Sequence, residues 1–272
     1  MQQMRDVTGT AFVVAEFRAE ENFADQPLYR DLVVNLFLSD DSRRAAAKVA
    51  AGFPHVKEMV KIRTKYFDDV LDRELASGCR QVVILGAGLD TRAVRKSMPA
   101  VTYFEIDDGA TLALKETRIA GQGIQANVRF IAGNYVRNGL VSMLRDAGFD
   151  PEQPTYVLWE GNTMYLPIES DRAVMSQLTT NLRDFRLSFD YFAPSVITKT
   201  TGEGGLTRMV DNFAEIGAPW LSGFDNVKAL AADVGLHVID DWTTGELSAV
   251  YRGHALTQPI FGPFYSVCTL TS

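Results

Sequence analysis

The stretch Val82-Val83-Ile84-Leu85-Gly86-Ala87-Gly88-Leu89-Asp90-Thr91-Arg92 decides the fold. Its apolar, mostly β-branched start reads as a strand buried on both faces, running into a Gly-x-Gly turn and then a helix. Glycines permit the tight turn and let a ligand approach the main chain with no Cβ in the way. About 19 positions on, at the end of the next apolar run, stand Glu105 and Asp107. An acid at that spacing is the usual partner of adenosine ribose hydroxyls. Glu105 and Asp107 are two residues apart, so they share a face unless the strand has already ended.

The same stretch discriminates between nucleotides. A dinucleotide site would want a third glycine where Thr91 stands. Asp90 would lie near the helix N-terminus, where a pyrophosphate normally binds, and two negative groups there would repel. S-adenosylmethionine carries a sulfonium and an ammonium and no phosphate, so it suits an acid beside the turn. A nicotinamide dinucleotide, and a turn that serves only to join strand to helix, remain the alternatives.

Outward from this turn, short apolar runs recur at Gln81–Leu85, Val101–Ile106, Val128–Ile131, Tyr156–Trp159 and Leu187–Phe192, mostly separated by helical segments. Continuous rather than alternating runs of this kind predict a doubly wound α/β domain. Residues 1–80 read as a helical cap: Leu32, Val33, Leu36 and Phe37 recur at helix spacing, as do Val56, Met59, Val60 and Phe67. Past residue 226 come a helical Val227–Val234, a strand-like Leu236–Asp240 and a closing strand within Gly262–Leu270, fitting an antiparallel hairpin on the sheet edge. Between them, Gly202, Gly204, Gly205, Gly217, Pro219 and Gly223 read as a long loop, which marks 193–226 as a candidate lid. The expected organisation is one domain over 1–272: cap 1–80, core 81–192, lid 193–226, and the rest of the sheet in 227–272.

Composition narrows the function. The chain has 272 residues and a formal net charge of −7, which argues against a nucleic-acid partner, since phosphates call for a basic surface. Cys79 and Cys268 are far apart and form no CxxC pair, so neither a disulfide framework nor a metal cluster is expected. The apolar run Ala11–Ala15 is too short for a leader peptide or a membrane span. The expectation is a cytoplasmic protein with no membrane partner, whose oligomeric state the chain does not state.

The quoted stretch, with Phe104-Glu105-Ile106-Asp107 and Trp159-Glu160-Gly161-Asn162-Thr163-Met164-Tyr165-Leu166, resembles the leucine carboxyl methyltransferase family of S-adenosylmethionine-dependent enzymes. Further matches are Ile62-Arg63-Thr64-Lys65-Tyr66-Phe67-Asp68-Asp69 and Gly217-Ala218-Pro219-Trp220-Leu221-Ser222-Gly223-Phe224-Asp225. The family includes phosphatase carboxyl methyltransferases, a tRNA wybutosine enzyme and polyketide O-methyltransferases of the tetracenomycin type. The resemblance implies a class I, Rossmann-like, mostly parallel seven-stranded sheet and S-adenosylmethionine as cofactor. It implies that Arg63 pairs with the methionine carboxylate, and that Gly86 and Gly88 lie under the cofactor. Asp107, with Glu105 second, would take the ribose, and Glu160 would line the methionine end. Arg18 would add a basic contact. Glu160 would be a buried, unpaired carboxylate answered by a cationic ligand. One departure stands out: where the family has Asp-Leu after the third strand, this chain has Ala132-Gly133-Asn134-Tyr135, leaving Asn134 to contact adenine without a charge.

Methyl transfer from a sulfonium is an in-line displacement, accelerated chiefly by holding the acceptor oxygen against the methyl group. A carboxylate acceptor needs no base, whereas a phenol gains from one. No catalytic residue stands out; Tyr165 and His254 are the candidates, and His237 reads as structural. Arg208, Met209, Phe213 and Trp220 would suit a flat, apolar acceptor. The expected activity is O-methylation of a carboxyl or hydroxyl group of a small, polyketide-like secondary metabolite. The alternatives are a protein C-terminal carboxyl methyltransferase and, from another class, a non-catalytic S-adenosylmethionine-binding protein.

Overall fold

A computed structural model describes residues 7–253 and 262–272 of the chain. Helices α1 (Val7–Glu20), α2 (Asp40–Gly52) and α3 (His55–Ala76) come first. Then follow β1 (Gln81–Leu85), α4 (Arg92–Arg95), β2 (Thr102–Asp107), α5 (Gly109–Ala120) and β3 (Val128–Ala132). The chain continues through α6 (Tyr135–Asn138), α7 (Leu140–Asp146), β4 (Thr155–Trp159), α8 (Ile168–Asn181) and β5 (Phe185–Phe192). It ends with α9 (Pro194–Ile197), α10 (Gly204–Glu215), α11 (Val227–Asp233), β6 (His237–Thr243), α12 (Thr244–Arg252) and β7 (Tyr265–Thr271).

The seven strands form one sheet in the order β3-β2-β1-β4-β5-β7-β6. The first five run parallel, and β7 lies antiparallel between β5 and β6. This is a doubly wound, Rossmann-like arrangement. Alternate residues of each central strand feed opposite layers. Val83, Leu85, Phe104, Val157 and Leu187 pack against α7, α8 and α11, while Val82, Ile84, Tyr103, Tyr156 and Leu158 pack against α3 and α12. Both faces being covered explains the unbroken apolar runs. Strand order reverses at β1, which pairs with β2 on one side and β4 on the other. A crevice therefore opens at the carboxyl ends of these strands, where α/β sheets bind ligands. Among the described residues no helix is long and apolar enough to cross a membrane.

Two expectations about elements change. Leu32–Phe37 is not an α-helix: a short 3-10 turn spans Val33–Phe37, with Val34 and Phe37 buried and Leu32 exposed. Segment 193–223 is not a long loop either, because it holds α9 and α10. The α10 pattern of Leu206, Met209, Val210 and Phe213 has helical spacing, and these side chains join a third apolar cluster with Phe17, Val60, Met164, Phe192, Trp220 and Tyr265. The surrounding glycines masked that periodicity.

Candidate active site

Three strand ends and two helices build the crevice. The turn after β1 supplies Gly86, Ala87, Gly88 and Asp90; the end of β2 supplies Asp107 and Asp108; the segment after β4 supplies Glu160, Gly161 and Asn162. Helix α1 lays Thr10, Ala11, Val14 and Arg18 across the opening, and α3 contributes Arg63. The cavity these residues line measures about 210 Å³.

The turn is shaped by positive backbone angles, φ +60° at Gly86 and +46° at Gly88. A Cβ on Gly86 would overlap the Asn162 amide, whose Nδ2 donates to the Glu160 carbonyl at 2.7 Å. Asp107 accepts the Gly88 N–H at 2.6 Å and stands on the cavity wall. Burial pushes its carboxyl up, against the N–H groups of Gly88 and Asp108 that hold it down. Asp90 accepts the Arg92 N–H at 2.6 Å and pairs with the Arg92 guanidinium. Its carboxylate thus occupies the start of α4, where a pyrophosphate would have to lie. Burial would raise Asp90, but Arg92 and Arg18 outweigh it and hold the carboxyl below its ordinary value.

Arg63 is buried yet reaches the cavity. Its Nε donates to Glu160 at 2.9 Å, and its Nη1 donates to Asp190 at 3.0 Å and to the Tyr265 hydroxyl at 2.7 Å. Asp190 also accepts the Gly161 N–H at 2.6 Å and a hydrogen bond from Tyr265. Nη2 is absent from these bonds, and it would lie 3.1 Å from a Cβ on Gly161. That nitrogen remains available to an incoming carboxylate, and the missing side chain at Gly161 leaves room for it. Arg18 pairs with Asp31 and donates to Thr91 Oγ1 at 2.9 Å and the Leu89 carbonyl at 3.1 Å.

Several expected contacts differ. Glu105 does not line the cavity: it is fully buried, pairs with Lys115 from α5, and burial lifts it to about 7. Asn134 is also elsewhere. Its side chain caps α6 by accepting from the Val136 and Arg137 N–H groups, and it lies outside the cavity lining. Glu160 lines the cavity as expected but is not unpaired, since Arg63 and Arg92 each hold one of its oxygens. Its presence is explained by arginines before any ligand is invoked. Asp190 and Tyr265 are site residues that no local motif singles out, although an acid inside the apolar run Leu187–Phe192 is a signal for the first. Asn162 lay in a quoted motif without an assigned role.

A second cavity, of about 70 Å³, adjoins the first and shares Thr10, Val14, Arg63 and Gly161 with it. Met209, Phe213 and Trp220 line it, together with Tyr165, Phe192 and Tyr265. Arg208 is exposed and does not. Burial raises the Tyr165 phenol. His237 is exposed at the start of β6, and His254 lies outside the described residues.

Acids outnumber arginines on the wall of the first cavity, with Asp90, Asp107, Asp108 and Glu160 against Arg18 and Arg63. A glycine turn, an acid at the end of the neighbouring strand and an arginine in an anionic crevice fit a cationic nucleoside bearing an amino-acid tail. With this sheet order, they define an S-adenosylmethionine-dependent methyltransferase. The chain belongs to the leucine carboxyl methyltransferase family, whose model matches residues 11–179. It is 32% identical over 274 residues to a Frankia alni protein provisionally named an S-adenosyl-L-methionine-dependent methyltransferase, covering 91% of this chain and 96% of that one. Its fold is similar to a DUF574-family protein of Streptomyces avermitilis (TM-score 0.67, 11% identity, 96% of each chain covered). It is similar also to magnesium protoporphyrin IX methyltransferase of Synechocystis with bound S-adenosylhomocysteine (TM-score 0.52, 12% identity, 97% and 99% covered).

Proposed function

We propose that the protein methylates an oxygen, a carboxylate or an acidic hydroxyl, on a small and largely apolar molecule of secondary-metabolite type. The observation that carries this reading is the division of charge between the two cavities. Four acids face the first cavity, whereas Arg63 is the one charged residue among the described residues lining the second. A protonated amine entering the second cavity would meet no acid. An anionic oxygen would meet no like charge there, and its carbon skeleton would meet Phe192, Phe213, Trp220 and Met209.

Bound S-adenosylmethionine supplies a methyl group activated on a sulfonium. In this reading Asp107 accepts hydrogen bonds from the ribose hydroxyls, and Gly86 and Gly88 let the nucleoside lie against the main chain. Arg63 offers Nη2 to the amino-acid carboxylate, and Glu160 faces the ammonium. With the cofactor bound, Phe192, Phe213 and Trp220 would hold the acceptor so that its oxygen could take the sulfonium methyl group. Neither histidine nor carboxylate lines the second cavity among the described residues, so an acceptor already ionised at neutral pH is favoured over a phenol of pKa about 10. Segment 193–226 contributes Met209, Phe213 and Trp220 and serves as the cover of the acceptor cavity.

The test is incubation with S-adenosylmethionine and a panel of aromatic carboxylic acids and phenols, following S-adenosylhomocysteine release. Release with the acids supports the reading. Turnover only with a peptide bearing a free C-terminus would replace it with protein carboxyl methylation. Tight cofactor binding with no product from any acceptor would replace it with a binding role.

A further inference from the structure

Tyr265 serves both halves of the site. Its ring lines the second cavity and packs on Phe192, with centroids 4.6 Å apart. Its hydroxyl accepts from Arg63 Nη1 at 2.7 Å and donates to Asp190 Oδ2. Burial pushes the phenol well above its ordinary value, so the proton stays in place. A phenylalanine would fill the same apolar space, and a buried hydroxyl is costly unless it is bonded. Both of its bonds end on one assembly. Asp190 lies behind the wall and lines neither cavity. Its Oδ2 also accepts from Arg63 Nη1, at 3.0 Å, while its Oδ1 accepts the Gly161 N–H at 2.6 Å. Glu160 takes the Nε of the same guanidinium at 2.9 Å. A guanidinium is planar, so anchoring two of its nitrogens fixes where the third lies. That third nitrogen, Nη2, stands against Gly161, and Arg63 and Gly161 both line the cofactor cavity. Asp190 and Tyr265 together thus set how the arginine is presented beside the glycine.

We propose that Tyr265 is a positioning residue for the amino-acid tail of the cofactor: its hydroxyl, with Asp190, holds the Arg63 guanidinium at the angle that receives the tail carboxylate. The inference rests on the reading that Arg63 takes that carboxylate. Tyr265 acts through Arg63 and touches no reacting atom. Without the hydroxyl, Nη1 loses one of its two acceptors and Asp190 loses one of its three donors, so the fork gains freedom to turn. The nucleoside end is served by Asp107 and the Gly88 N–H, which share no hydrogen bond with Tyr265. Removing the hydroxyl therefore weakens the grip on the tail and leaves the grip on the nucleoside.

The experiment is calorimetry on the full chain with S-adenosylhomocysteine and 5′-methylthioadenosine, which share the nucleoside and the thioether but differ in the amino-acid tail. Wild type should bind S-adenosylhomocysteine the more tightly. Tyr265→Phe keeps the ring and removes the hydroxyl. It should bind S-adenosylhomocysteine about tenfold more weakly, the size of one hydrogen bond to a charged group, and methylthioadenosine as wild type does. Unchanged binding of methylthioadenosine also reports an intact fold. Asp190→Asn keeps an oxygen for the Gly161 N–H but sets an amide against Arg63, and should show the same split, larger. A residue that only fills the core would move both ligands alike. Equal weakening of the two in Tyr265→Phe, or unchanged affinity for S-adenosylhomocysteine, overturns the proposal. A wild type that binds the two ligands equally overturns it as well, by removing the tail from Arg63. Release of S-adenosylhomocysteine with aromatic acids in any of those cases would leave the methylation reading standing and remove only the role of Tyr265.

Discussion

The Asp107 carboxylate accepts the Gly88 N–H at 2.6 Å, so the acid ending one strand holds the turn that follows its neighbour. The acid on the cavity wall and the glycine turn beside it are one hydrogen-bonded unit. Changing the acid therefore changes the turn as well.

Asp107→Ala should weaken S-adenosylmethionine binding by about 1–3 kcal/mol, the loss of charged hydrogen bonds. Asp107→Asn keeps an oxygen for the Gly88 N–H and should recover part of that loss. Calorimetry on both variants separates the turn from the sugar contact, and unchanged affinity in Asp107→Ala would remove Asp107 from the site.

The two glycines of the turn should differ in tolerance. At Gly86 a Cβ meets the Asn162 amide, whereas at Gly88 the nearest atom is the Ala11 Cβ at 3.3 Å. Both sit at positive φ, so each alanine carries strain of about 1–3 kcal/mol. Gly86→Ala should lose more stability and cofactor affinity than Gly88→Ala, as read by denaturant melts and titration.

Arg63→Ala removes three hydrogen bonds from Glu160, Asp190 and Tyr265. Asp190, fully buried, would keep only the Gly161 N–H and Tyr265. Leaving a buried charge without its partner costs about 3–5 kcal/mol. Chemical denaturation should show that loss, and Arg63→Lys, which keeps the charge without the fork, should recover part of it.

Asp171 predicts a pH signature. The Ser222 Oγ lies 3.0 Å from both the Thr163 carbonyl and the Asp171 carboxyl, and one hydroxyl proton serves one acceptor, so a protonated Asp171 supplies the second bond. Burial without a compensating cation pushes its pKa up to about 8, against about 4 unfolded. The folded state binds the extra proton across that window. Stability from this group is therefore full below pH 4, falls by about 1.4 kcal/mol per unit as pH rises, and levels off above pH 8. Asp171→Asn should melt higher than wild type at pH 8, with the difference vanishing toward pH 4.

The strand–turn–helix of residues 82–92, the acid 19 positions on and the alternation of apolar runs with helices determined the doubly wound core and its cofactor crevice. Each depends on local periodicity or on neighbours in one supersecondary unit. The choice between Glu105 and Asp107 was not local. Both are acids near the same strand end, and only the packing of α5, which brings Lys115 onto Glu105, buries one and leaves the other facing the crevice. Asn134 likewise went to the nearest unpaired N–H groups, those of α6, because a short amide side chain at a helix start competes well for them.

By itself, then, the amino-acid order specified a cationic-nucleoside site, through glycines that only a close backbone approach requires and an Asp90 that disfavours phosphate. The tertiary structure alone decided how Arg63 is held, since Asp190 and Tyr265 lie 127 and 202 positions away. It alone also gathered Phe192, Phe213 and Trp220 on the wall of the second cavity. Contacts between strands and lid depend on which faces the sheet twist and helix packing bring together, and no local period in the chain encodes that.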